Sequence, residues 1–310
     1  AVLEELVRQA AQGEVVYNDD TTAKILEWMG RRGEELARPH SPATGKKKPE
    51  RKGMFTTGVV STRDGCRIAL FFSGRKHAGE NLTDVLRRRA KDLAAPIQMC
   101  DALSRNVPAE LETIVAHCLA HGRRQFVDVA DRFPEECRRV LEAIAAIYKT
   151  DALSRKQALS PAARLSLHQA ESGPVMADLR DWLERQFAQQ LVEPNSSLGE
   201  AIAYMLKHWE KLTLFLRVPE APLDNNICER ILKKAILHRK NALFYKTHRG
   251  AHVGDIFMSL IHTAELCGAN PFDYLTELER HAKDVARHPE NWIPWNYSQT
   301  LAANKSTSPL

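Results

Sequence analysis

A chain of 310 residues, 44% apolar and 27% charged, is long enough to bury one substantial core or two, and no run nears the roughly 18–20 apolar residues of a membrane-spanning helix. Six cysteines over that length, with no charged and then apolar leader at the start, argue against a disulfide scaffold and predict a soluble protein of a reducing, bacterial-type cytoplasm. With 44 Lys and Arg against 39 Asp and Glu the net charge is +5, which permits a polyanionic partner without demanding one.

The chain opens at Ala1 inside an amphipathic stretch with no initiator Met, so it is expected to be the back part of a longer polypeptide. Residues 1–12 carry helical spacing, and Glu14 to Asp20 alternates as a strand with Val15, Tyr17 and Asp19 on one face. A carboxylate thus stands at that strand's C-terminal end. Residues 38–53, rich in Pro, Gly, Lys and Arg, have the chemistry of an exposed basic loop. Two β-rich stretches, 55–62 and 66–72, flank Arg63-Asp64-Gly65, whose Asp-Gly is a hairpin signal, so three antiparallel strands are expected. The spacing of Leu82, Val85, Leu86, Ala90 and Leu93 predicts a helix over 77–94. Pro96 to Asp101 then reads as a short buried strand that again ends on an Asp. A helix at 108–114 and a strand from Ile114 to Cys118 complete the order β-β-β-α-β-α-β. From Arg123 to about Leu216 the pattern is helical, with breaks expected at Pro134, Pro161, Pro174 and Pro194. A last compact unit starts at Pro222, with a helix to about Lys240, an Asn-Ala-Leu-Phe-Tyr stretch and a helix from about Ala251 to Cys267. The tail beyond Asn296 is expected to be disordered.

Asp19 and Asp101 both end strands expected to be neighbours in one sheet, and sites in such sheets gather at strand ends. Paired carboxylates there suit a hard divalent cation, Mg²⁺ or Mn²⁺, which takes oxygen ligands together with substrate phosphates. A third acid stands in Asp224-Asn-Asn-Ile-Cys-Glu229-Arg, where Asp224 can N-cap a helix with Ile227, Ile231 and Ala235 as its apolar stripe. Glu229, Lys233, Ile236 and Lys240 follow a neighbouring face. An acid flanked by Arg230, Lys233 and Lys240 is what a phosphodiester site uses, the acid for metal and the bases for backbone phosphates. The bland alternative is a solvated i,i+4 pair of Glu229 and Lys233.

Asp-Asn-Asn-x-x-Glu-Arg at 224–230, followed by His238-Arg-Lys-Asn241 and Leu243-Phe244, with Cys118-Leu-Ala-His121-Gly-Arg-Arg-Gln-Phe upstream, closely resembles the transposases of the insertion sequence 66 family. The resemblance covers most of the chain, from Asp19-Asp-Thr21 to Ser259-Leu-Ile-x-Thr-Ala264 and Asn270-Pro-Phe-x-Tyr-Leu275, and ends near Pro294-Trp295. It implies an α/β, ribonuclease H-like catalytic core, a mixed sheet flanked by helices and interrupted by a large all-helical insertion, that cuts and joins DNA with Mg²⁺. By motif position it assigns the catalytic and metal-binding triad to Asp19, Asp101 and Glu229. It divides the chain into a first part of the core at 1–131, a helical insertion at 132–221, a second part of the core with the Glu-bearing helix at 222–275, and a C-terminal segment and tail at 276–310. The family's common triplet at the first acid is Asp-Glu-Thr, whereas this chain has Asp19-Asp20-Thr21, and alternation favours Asp19. At the second acid many relatives have Asp-Gly-Tyr in place of Asp101-Ala-Leu. Relatives also carry a long N-terminal region with DNA-recognition and coiled-coil character that this sequence lacks, so a fragment unable to find transposon ends by itself is expected.

With that resemblance, Lys46, Lys47 and Lys48, joined by Arg51 and Lys52, are candidates for contact with a DNA backbone, the alternative being a solvated linker. Arg123, Arg124, Arg230, Lys233, Arg239 and Lys240 are further candidates, with Lys246 and Arg249 nearby. Asn241 is read as a helix cap. Cys118 and His121 could supply half a zinc site, though no second pair stands at suitable spacing, and the resemblance to DDE transposases, many of which carry a Cys-x-x-His just after the second Asp, implies a structural packing role at the junction with the insertion. His117 beside them, and Trp182 and Trp209 in the insertion, are read as structural, and Trp292 and Trp295 as docking the C-terminal segment. No Walker loop or Gly-x-Ser-x-Gly elbow occurs. The partners implied are transposon-end and target DNA, further copies of the chain on that DNA because two ends must be synapsed, and accessory proteins of the same element, with no membrane. The alternatives are a ribonuclease H-like nuclease without strand transfer and an inactive, truncated DNA-binding or assembly remnant.

Overall fold

A computed structural model describes residues 1–30 and 53–307. The chain is α/β, with strands β1 (Val15–Thr22), β2 (Phe55–Arg63), β3 (Cys66–Gly74), β4 (Ile97–Cys100) and β5 (Ile114–His117) in a mixed sheet of order β3-β2-β1-β4-β5. β1, β2 and β3 pair antiparallel, and β4 and β5 pair parallel. Two compact units divide the chain. The first holds Ala1–Pro96, Ser104–Thr113 and Asn226–Leu310, the second Ile97–Leu103 and Ile114–Asn225.

In the first unit the expected hairpin forms at Asp64 and Gly65, whose φ of 50° and 78° are the two left-handed positions of a type I′ turn. Pairing then runs from Arg63 and Cys66 to Phe55 and Gly74. Strand alternation sends side chains into two layers. Val16, Val59, Ile68 and Leu70 pack with the Val2–Ala10 and Ala78–Leu86 helices and with Tyr274 and Trp292. Tyr17, Val60, Ala69 and Phe71 pack instead with Cys228, Ile231, Leu232 and Ala235 of the Asn226–Ala242 helix.

Strand β3 ends the sheet, and an edge strand carries unpaired backbone groups that need partners. The His248–Leu266 helix supplies them from side chains one turn apart. Asp255 Oδ2 accepts the Ser73 N–H at 2.6 Å, Ser259 Oγ accepts that of Phe71 at 3.0 Å, and Thr263 Oγ1 accepts that of Ala69 at 3.1 Å. The Thr263 hydroxyl also donates to the Ala69 carbonyl at 3.0 Å. Four helical residues advance about 6 Å and two strand residues about 6.8 Å, close enough for three rungs to stay in step. Asp255 Oδ1 further accepts the Ser73 hydroxyl at 2.8 Å. Burial pushes the Asp255 carboxyl up to about 6, although the Ser73 hydrogen bonds and the charge of His252 pull the other way.

The second unit continues from β5 into the helices Leu119–Val127, Pro134–Lys156, Pro161–Leu167, Gly173–Ala188 and Ser197–Lys207. Val140, Ile144, Ile147, Met176, Leu179, Leu183, Ile202 and Met205 are buried among them. Pro134 and Pro161 sit in first turns, where a missing N–H costs nothing. At Pro174 the chain passes through a π-helical turn, His168–Ser172, with no loop, so the expected break is a change of helix type. Trp209 is buried and Trp182 half-buried, with Arg180 and Arg139 over their rings.

Three expectations are corrected. The helix at 77–94 ends at Leu86, because the Arg89 guanidinium turns back onto the carbonyls of Ala11, Gly13 and Ala94. The helix at 108–114 does not form. The preceding 3₁₀ turn, Ser104–Asn106, is fixed to β1, and β5 takes up the chain again at Ile114. The tail beyond Asn296 is a helix, Tyr297–Thr307, whose Tyr297 and Leu301 pack on the first unit's core, with the Tyr297 ring edge-on to Tyr274 at 5.1 Å. Among the described residues no helix is long and apolar enough to cross a membrane.

A buried acid with a raised folded-state pKa favours the protonated fold, so its stabilisation is present below about pH 4 and lost as pH rises toward 6. Asp255→Asn keeps an acceptor for the Ser73 N–H without a charge. It is expected to remove that slope and raise stability at pH 7 by about 2 kcal/mol, read as the difference from wild type in urea melts between pH 4 and 8. An unchanged slope would place the carboxylate's charge elsewhere in the balance.

Candidate active site

Adjacent residues of β1 face opposite layers, and this separates the two candidate first acids. Asp20 points with Val16 and Asn18 into the layer of the Ala78–Leu86 helix. Its side chain is 1% exposed, with Oδ2 3.0 Å from His77 Nδ1 and 3.4 Å from the Ala78 N–H, and with Oδ1 3.3 Å from the Arg105 guanidinium. Asp20 therefore closes the N-terminus of that helix. Asp19 shares the face of Tyr17, which packs on the Asn226–Ala242 helix, and is half-buried. Its Oδ1 accepts the Asp20 N–H at 2.8 Å and Asn106 Nδ2 at 3.3 Å.

Asn106 had no sequence signal. It is 0% exposed, and its carbonyl accepts Asn18 Nδ2 at 2.7 Å while its own amide reaches Asp19. The turn Ser104–Asn106 thereby grips three consecutive residues of β1, with Arg105 on Asp20 and Asn106 on Asn18 and Asp19.

Glu229 lies in the first turn of the Asn226–Ala242 helix, half-buried, with Arg230, Lys233 and Lys240 exposed. The expected apolar stripe is present as Ile231, Leu232 and Ala235 with Cys228, and Ile227 packs beside it. Position 58 explains where this helix lands. Gly58 is the ladder partner of Asp19, and a Cβ there would stand 3.0 Å from Leu232 Cγ and 3.5 Å from Cys228 Sγ. With no side chain in the way, the Cys228–Leu232 turn rests on the strand at Asp19's level, and the Cys228 thiol contacts the Gly58 carbonyl at 3.4 Å.

The other end of the helix is also fixed to β1. Arg239 Nη1 donates to the Thr22 carbonyl, to Thr22 Oγ1 at 2.9 Å and to Thr21 Oγ1 at 3.3 Å. One nitrogen of the guanidinium expected to meet DNA is thus held at the strand end. Asn241 lies within the helix, which runs on to Ala242. Beyond it the Tyr245 N–H donates to the Lys24 carbonyl at 2.8 Å and the Leu26 N–H to the Tyr245 carbonyl at 2.9 Å, an isolated parallel bridge of Ile25 and Tyr245.

Asp101 belongs to the second unit, directly after β4, half-buried, with Oδ1 accepting the Leu103 N–H at 3.2 Å. Burial and then the Asp101 charge push the Tyr204 hydroxyl up to about 12. Tyr148 is raised further by burial and by Asp224 beside it. Cys118 is fully buried. Its Sγ accepts the Asn225 N–H at 3.3 Å, and the next residue, Leu119, donates its N–H to the Leu223 carbonyl at 2.9 Å, which ties the end of β5 to the segment before Glu229. His121 lies one turn on and is half-buried, while Arg123 and Arg124 are exposed. Burial, with Lys211 and His208 nearby, lowers His117 to about 4, so it is neutral at pH 7. Lys46, Lys47, Lys48, Arg51 and Lys52 lie outside the described residues.

The first unit therefore brings Asp19 and the turn of Glu229 to one strand level, and the second presents Asp101 at a strand end. All three are half-buried carboxylates, hard oxygen donors of the kind that Mg²⁺ or Mn²⁺ accepts.

Residues 1–253 match the family described as Transposase IS66 family. Among curated proteins the chain is similar to the uncharacterized protein y4jD of Sinorhizobium fredii (strain NBRC 101917 / NGR234), 34% identical over 187 residues, which is 59% of this chain and 36% of the relative. It is similar also to the uncharacterized protein y4hP of the same strain, 32% identical over 200 residues, 61% of this chain and 36% of the relative. The chain thus spans about a third of the length of these relatives.

The two neighbouring acids differ in burial and partners, and removing each charge separates them. Asp20→Asn should destabilise the chain by about 2 kcal/mol by weakening its bonds to His77 and Arg105, whereas Asp19→Asn should cost under about 1 kcal/mol. Urea melts of the two variants measure the difference, and equal losses would contradict the assignment of Asp20 to structure.

Proposed function

The chain belongs to the IS66 transposase family, and from that premise we propose that it is the catalytic core of a DDE-type DNA transposase, which cleaves DNA at transposon ends and joins the 3′-hydroxyl to target DNA. The observation that carries the reading is the separation of Asp19 from Asp20. One is turned toward the helix of Glu229 and the other is tied away in a buried ionic cluster. The strand order, with β1, β2 and β3 antiparallel and a parallel β4 and β5 pair on the far side of β1, supports a ribonuclease H-like core. Residues 132–221 are then a helical insertion between its last strand and the Glu-bearing helix.

Families of this type generally use divalent metals. Asp19, Asp101 and Glu229 are the residues that would hold Mg²⁺ or Mn²⁺, whose charge would favour an oxygen nucleophile and a departing oxygen at a phosphodiester. The chain's own part is to fix those carboxylates. Asn106 orients Asp19, and the Gly58 contact with Arg239's grip on Thr22 sets Glu229. Arg123, Arg124, Arg230, Lys233 and Lys240, exposed on their helices, serve backbone phosphates, and Lys46, Lys47 and Lys48 extend that set. Cys118, with its thiol on the Asn225 N–H, and His121 serve as packing at the junction with the insertion. The partners are element ends and target DNA in a bacterial cytoplasm, with further copies of the chain and accessory proteins of the element at synapsis.

Glu229→Gln is expected to lower Mg²⁺-dependent cleavage of element-end DNA at least about a hundredfold while leaving DNA affinity within about threefold. Cleavage at the wild-type rate would sink the assignment of Glu229. Joined products in the same reaction distinguish a transposase from a nuclease that only cuts.

A further inference from the structure

Two short segments bound side by side at the end of β1 expose apolar side chains that no core explains. Leu243 is 62% exposed, Phe244 43% and Leu26 40%, with Leu237 and Met29 exposed nearby in sequence. The Ile25 and Tyr245 bridge holds the segments together, and Leu243 stays joined to its helix by its N–H on the Arg239 carbonyl at 2.8 Å. Leu243 adopts φ of 66°, a left-handed conformation that non-glycine residues rarely take, while its side chain stays mostly exposed. Strain and apolar exposure at one residue of a supported backbone mark a site used for something other than stability.

The charge around this tip selects its partner. No Asp or Glu occurs between Glu229 and Asp255, a stretch with seven Lys and Arg, Arg239 among them held at Thr22, while Glu27 of the other segment accepts the His248 N–H at 2.8 Å. A cleft beside the tip is lined by Thr21, Thr22, Thr56, His238, Phe244 and Tyr245, a mixture of hydroxyls and rings, with the His238 and Tyr245 rings stacked at 5.4 Å. Cations that follow a phosphate backbone, combined with apolar and aromatic faces, are the chemistry of contact with unpaired bases, and Leu and Phe serve elsewhere as wedges between base steps. Thr22 is three residues along the strand from Asp19, about 10 Å.

We propose that Leu243 and Phe244, supported by Leu26, form a platform on which unpaired bases of opened DNA stack at the Thr22 end of the strand that carries Asp19. The proposal rests on the transposase reading and adds that the DNA handled there is locally unpaired.

The test uses the full chain without divalent cation and two oligonucleotides of one sequence, a fully paired duplex and a duplex with three unpaired nucleotides at one end carrying 2-aminopurine. Wild type is expected to bind the opened duplex about tenfold more tightly and to quench the 2-aminopurine. Joint replacement by L243A and F244A should reduce that preference to about twofold or less, and Phe244→Trp, which keeps a stacking face, should preserve it. A preference that survives the double substitution, or none in wild type, overturns the platform while leaving the transposase reading intact. No binding of either duplex overturns both. A change in the oligomeric state of the DNA-free double variant by sedimentation would make this face an interface between copies and likewise overturn the proposal.

Discussion

The geometry of the candidate site depends on a side chain that is missing. Gly58 stands across the β1 and β2 ladder from Asp19, and the Asn226–Ala242 helix comes down onto it so closely that a single methyl would meet Leu232 at 3.0 Å. Helices rest on sheets at a distance set by the bulk between them, so the smallest residue at this point lets the helix lie lowest at the level of Asp19. Cys228 and Leu232, one turn apart, straddle the gap, and Glu229 belongs to the same turn. The position of one carboxylate relative to the other is thus a packing result, obtained from apolar contacts between the two backbones that carry them.

That economy leaves polar groups to do what apolar packing cannot. Asp20 and Asp19 are neighbours with the same chemistry, yet the two-residue period of the strand gives one a closed ionic cluster and the other a half-open surface. The edge of the sheet follows the same logic. Asp255, Ser259 and Thr263 replace the missing strand with side-chain acceptors, and the expense of burying a carboxylate shows in a pKa raised to about 6. A neutral residue would serve the Ser73 N–H, so the acid at 255 is a local weakness of the edge at neutral pH.

Local pattern made part of this visible in the sequence. Alternation in 14–20 chose Asp19, Asp64-Gly65 specified its turn, and the 3.6-residue period marked the buried stripe through Ile231 and Ala235. What stayed hidden depends on pairings between distant residues. Asn106 meets Asp19 across 87 residues, and Asp255 meets Ser73 across 182, and in both cases a buried polar residue has the composition of a surface one. The hold of Arg239 on Thr22 was hidden as well, because a charge on a helix end carries no mark of a partner 217 residues away. The terminal helix was missed for a related reason. Its own residues are polar enough to pass for a tail, while Tyr297 and Leu301, one turn apart, pack it on the core.

The two anchor points of the Glu229 helix set the spacing between them. Near one end Cys228 and Leu232 must meet Gly58, and near the other Arg239 must meet Thr21 and Thr22. Each residue added or removed between them would turn the far end by about 100° and move it 1.5 Å, so only one spacing satisfies both contacts. The same fixed helix carries its acid in the first turn and Arg239 and Lys240 in the last, the arrangement its macrodipole favours. Charge order and contact order therefore select the same sequence, with the acid where the strands hold Asp19 and the cations where the exposed tip begins. A change that preserves composition but shifts spacing would break the site while leaving every residue type in place.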